Sequence, residues 1–158
     1  MKNNEQLIKI GNLVQSKILK HELIILLVII SLIAAKLFVV TFPDNILFSI
    51  FSLIAIVYFF SAFTMPVEKM ITGMDLFIHK LIGIASAITL MGILFGILNL
   101  EGNNEMVYVG LTTLIITFVF IIIYRIKNTG AGIFSNLLML RIVVLALISG
   151  GLFYFGMG

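Results

Sequence analysis

Polar residues divide this chain into five apolar runs of about 20 residues, roughly 23–42, 45–64, 80–100, 106–125 and 137–157. About 20 consecutive apolar residues are what a helix needs to cross the hydrocarbon of a bilayer. The pattern therefore predicts an all-α, polytopic membrane protein of five transmembrane helices: two hairpins plus a closing helix. The first turn, Phe42-Pro43-Asp44-Asn45, is short enough to predict a tight antiparallel hairpin of spans one and two. Spans three and four are joined by the polar turn Glu101-Gly102-Asn103-Asn104-Glu105. The two hairpins share faint features, Lys36-Leu37-Phe38 before one turn and Ile93-Leu94-Phe95 before the other.

Before the first run, residues 4–20 place Leu7, Ile10, Val14 and Ile18 on one helical stripe, with Lys9, Asn12, Lys17 and Lys20 elsewhere. That spacing predicts an amphipathic helix in the membrane interface, its lysines toward anionic headgroups. The chain then divides into an N-terminal interfacial arm, 1–22, and a transmembrane helical domain, 23–158. A second amphipathic stretch follows Pro66, with Val67, Met70, Met74 and Phe77 opposed to Glu68, Lys69 and Asp75.

Charge fixes an orientation. The arm carries Lys2, Lys9, Lys17 and Lys20, the second loop Lys69 and Lys80, and the fourth Arg125 and Lys127. The first and third turns carry only Asp44, Glu101 and Glu105. The positive-inside rule then sets the N-terminus in the cytoplasm and the C-terminus outside. Composition agrees: 61% of residues are hydrophobic, 11% are charged, and mean hydropathy is +1.25. The net charge of +3 is the excess of loop lysines and implies no nucleic-acid binding. With no cysteine, thiol catalysis and thiolate metal sites are excluded.

Small residues give a packing code. In span three Ala85, Thr89, Gly92 and Gly96 fall on one face, and Gly83 and Ala87 lie almost opposite. Small residues let helix backbones approach closely, which predicts a central span three with neighbours on both sides. Span five has a similar pair, Ala146 and Gly150.

Two basic residues lie inside the apolar runs. Lys36 is about 9 Å from the outer end of span one at 1.5 Å per residue. Its stripe of Ile29, Ile33 and Val40 reads as lipid-facing, so the ammonium is expected to snorkel to the surface or to pair with Glu101 or Glu105. Arg141, a turn from the inner end of span five, is expected to snorkel too, with Asp75 or Glu68 as candidate partners. His21 and His79 share a depth, the only support for a haem site, and an anchoring role at the interface is the simpler reading. Gly130-Ala131-Gly132 reads as a flexible connector. No catalytic constellation, cofactor site or metal-ligand cluster is visible, and no Asp or Glu sits inside a span.

The stretch Lys80–Ile123, and within it residues 91–122, with Gly92 and Gly96 leading into Asn99-Leu100-Glu101-Gly102-Asn103 and a second apolar helix, resembles a hairpin of small inner-membrane proteins of Bacteroidetes-type bacteria. The best-known member of that group is the membrane (L) subunit of the gliding-motility and type IX secretion motor. The resemblance covers about a quarter of the chain and implies an inner-membrane setting. The His-Trp-Pro part of the family turn and the motor's intramembrane glutamate have no counterpart here. The function expected is a non-enzymatic integral-membrane subunit or scaffold that binds partner helices or itself; the alternative is a small oligomeric channel or transporter.

Overall fold

A computed structural model describes residues 21–38, 42–63, 73–127 and 136–154. They form five helices: α1 (Glu22–Phe38), α2 (Asp44–Ser61), α3 (Gly73–Leu98), α4 (Asn103–Lys127) and α5 (Asn136–Tyr154). No strand occurs among the described residues. Four of the helices, α2 to α5, are long and apolar enough to cross a membrane. The described part of α1 is 17 residues, about 25 Å at 1.5 Å per residue. The predicted interfacial helix over 4–20 lies outside the described residues, as do Val67 and Met70 of the second amphipathic stretch. Met74 and Phe77 belong to the first turns of α3 itself, which starts seven residues before the apolar run drawn from Lys80.

Each helix around α3 buries one seam at the spacing of facing helical turns. In α4 it is Val107, Gly110, Leu114, Thr117 and Ile121; in α5, Leu138, Ile142, Leu145, Ser149 and Leu152. Large apolar side chains such as Ile115, Val119 and Leu147 cover the outward faces. That inverted arrangement suits a lipid solvent. The hub is α3, two-thirds buried, packed against α2, α4 and α5.

Local chemistry sets the turns. At the end of α3, Asn99 takes a left-handed conformation at φ 50°. Leu100 N–H donates to Phe95 O at 3.0 Å and Asn99 N–H to Gly96 O at 3.2 Å. This is the Schellman arrangement, which satisfies the last carbonyls of a helix, with Asn in the position usually held by Gly. Gly102 follows at φ 80°, and the Asn103 side chain accepts from Asn104 N–H. Pro43, fixed at φ −67°, precedes α2 and offers its carbonyl to the N–H groups of Ile46 and Leu47.

Spans one and two run antiparallel, with Lys36 pairing with Asp44 at the turn and Glu22 and Tyr58 both meeting Arg141 at the far end, but the two helices touch sparsely in between. Helix α2 packs mainly on α3, while α1 touches α2 and α5 at few points. A short connection limits how far two helices can separate, but contact depends on what each side chain finds. The better partner for α2 is α3, because Gly83 admits the α2 terminus: a Cβ built there would fall 2.6 Å from Ala62 N.

Candidate functional site

The N-terminal ends of α1, α3 and α5 and the C-terminal end of α2 come together at one end of the bundle. They bring Glu22, Tyr58, His79 and Arg141 into a buried polar cluster. The Glu22–Arg141 pair joins residues 119 apart in sequence. Arg141 Nη2 donates to Glu22 Oε2 at 2.9 Å, and Nε lies 2.5 Å from Oε1. The two side chains are only 3% and 5% exposed, so water screens neither charge. The guanidinium carbon also sits 4.4 Å from the centroid of the Tyr58 ring. A desolvated cation over an aromatic face adds up to about 2 kcal/mol of attraction. The Tyr58 hydroxyl lies beside the Glu22 carboxylate. His79 bonds to the Ser61 backbone and lies within electrostatic reach of Arg141.

Arg141 therefore does not snorkel. Its counter-charge is Glu22, which the sequence places only at the boundary of the first run. The reason is geometric: one turn into α5, Arg141 faces the bundle along the seam of Leu138 and Ile142, and a charge on that face must be met inside.

Lys36 behaves differently. It pairs with Asp44 at 2.5 Å, bridging the last turn of α1 to the first turn of α2, and reaches neither Glu101 nor Glu105. A cation at a helix C-terminus and an acid at a helix N-terminus both suit the peptide dipoles. Both groups keep access to water, Asp44 most of all. The stripe below Lys36 is not lipid-facing: Ile29 and Ile33 are buried against the bundle, and Val40 lies outside the described residues. The outward face of α1 is instead Leu23, Ile24, Leu27 and Val28.

The small residues of α3 meet two neighbours. Gly83 faces Ala62 at the end of α2. Gly92 faces α4, where a Cβ would lie 2.9 Å from Val107 N. Thr89 faces Gly110 of α4, whose Cβ would fall 2.7 Å from Thr89 Cα. Ala85, Ala87 and Gly96 are buried. Gly110 escapes a reading of sequence because one glycine among branched residues carries no spacing signal. On α5, Ala146 is partly buried against the core, but Gly150 meets nothing within 4 Å, and neither does Gly151.

Other buried hydroxyls are spent locally. Thr89 donates to Ala85 O at 2.8 Å, Thr117 to Thr113 O at 2.6 Å and Ser61 to Tyr58 O at 2.6 Å. Ser86 is buried two turns beyond His79 on the same α3 face, with no hydrogen-bond partner among the described residues. His21 is exposed, while His79 is turned to the cluster, so the two do not form a facing pair. No group of three or more metal-ligating side chains occurs among the described residues. Comparison with protein-family models, with curated proteins and with solved structures found no match to this chain.

Proposed function

We propose that this protein is a non-enzymatic integral subunit or scaffold of a bacterial inner-membrane complex, binding a partner helix or a second copy within the bilayer. In this reading α1 belongs to a fifth span, drawn from the apolar run 23–42. The N-terminus lies in the cytoplasm with the basic loops and the C-terminus in the periplasm, as the lysine distribution requires. The Glu22–Arg141 cluster then sits at the inner end and the Lys36–Asp44 pair at the outer end.

One observation carries the binding role. Gly83, Gly92 and Gly110 each meet the backbone of a neighbouring helix, whereas Gly150 and Gly151 of α5 meet open space. Association of helices in lipid depends on close backbone approach, because apolar contact there gains little over contact with lipid tails. Open glycines on an outward helix are surface that another helix can use. The buried hydroxyls that bond to their own helix support packing rather than a polar conduction path.

The test is purification from native membranes in mild detergent, with mass spectrometry of what co-elutes, for wild type and Gly150→Leu/Gly151→Leu. The expected result is a partner or second copy retained by the first and lost by the second. A monomer without partner in both cases, or ion conductance of the purified protein in liposomes, would overturn the reading.

A further inference from the structure

The geometry points to α1 as a releasable strap, held on the more extensively packed helices α2 to α5 by the Glu22–Arg141 latch. Lipid tails are as apolar as Leu, so burying an apolar stripe against another helix does not by itself retain it. Close backbone contact through small residues does, and α2, α3 and α4 have it at Gly83, Gly92 and Gly110. Helix α1 has no glycine, and its buried stripe between the charged ends is Leu26, Ile29 and Ile33. Its contacts with α2 and α5 are sparse.

What remains is charge. The Lys36–Asp44 pair is open to water and contributes little, as exposed pairs do. The Glu22–Arg141 pair is buried, and parting it leaves a guanidinium without its counter-charge at the end of an apolar helix. Among the described residues it is the one buried ion pair that α1 makes, and it is strong. Nearer the Lys36 end, α1 and α5 are already parted by an apolar groove of about 170 Å³, walled by Ile30, Ala34 and Leu37 on one side and Ile148 on the other. Opening the latch extends that groove along the whole of α1 and uncovers Arg141, Tyr58 and His79. This inference does not rest on the subunit reading.

The chain lacks cysteine, so two introduced cysteines are the sole labelling sites. Spin labels at Leu27 of α1 and Leu147 of α5, both exposed and each about five or six residues past the latch, report the strap. Labels at Leu53 of α2 and Ile115 of α4, also exposed, report the rest of the bundle across α3. Pulsed electron-spin distances are measured on the full chain in nanodiscs. With the native latch the strap distance is narrow. Glu22→Gln should broaden it and lengthen it by about 10 Å, one helix diameter, with the reference distance unchanged. The exchange Glu22→Arg/Arg141→Glu should restore the narrow distance. A strap distance unmoved by Glu22→Gln, a reference pair that broadens with it, or an exchange that does not restore it would each overturn the inference.

Discussion

Between α3 and α4 the two backbones approach so closely that a methyl group on Gly92 or Gly110 would collide with main-chain atoms of the other helix. Among the described residues, α1 touches its neighbours sparsely, and the buried Glu22–Arg141 pair does most of the fastening. Both regions are hairpin helices of similar apolarity, and hydropathy does not tell them apart. The difference lies in which side chains face the neighbour. Small residues make an attachment from many weak contacts spread along a helix, insensitive to any one charge. A buried ion pair concentrates attachment at one point, where a single atom change is felt.

That contrast sets an order of effects. Removing one partner of the buried pair is the most damaging change: Arg141→Gln strands the Glu22 carboxylate and should cost about 3–5 kcal/mol in unfolding from mixed micelles. Gly92→Leu or Gly110→Leu forces backbone displacement at the α3–α4 seam and should cost at least about 1–3 kcal/mol by the same assay. Equal tolerance of both glycine changes would show that the seam is not closely packed. At the other end of α1, Lys36→Gln removes a pair that water can replace, and about 1 kcal/mol or less is expected. A larger loss would make α1 doubly latched. Smallest of all, Gly150→Leu fills open space and should leave fold stability within about 0.5 kcal/mol, its effect confined to partner retention.

Much of the architecture is legible in the residues. Runs of apolar residues bounded by Pro43, Asn99 and Gly102 mark helices and turns, because the local backbone chemistry of a turn is written where the turn is made. The small faces of α3 are legible for the same reason: 100° per residue places Thr89 and Gly92 on one side and Gly83 on the other. The cluster is less so. Arg141 stands out as a charge in an apolar run, yet Glu22 is 119 residues away and looks like an ordinary boundary acid. Periodicity says which face of a helix is buried, not which distant helix meets it. Lys36 shows the same limit at short range, since Asp44 becomes its partner only once the turn has brought both to one end.

Glu22 and Arg141 act as one unit that ties α1 to α5. A double-mutant cycle measures this directly, with Glu22→Gln, Arg141→Gln and the double variant compared by unfolding free energy in mixed micelles. Two costly single changes and a double change far cheaper than their sum are expected, because no buried charge is then left alone. Additivity within about 0.5 kcal/mol, as expected for sites that do not touch, would contradict this.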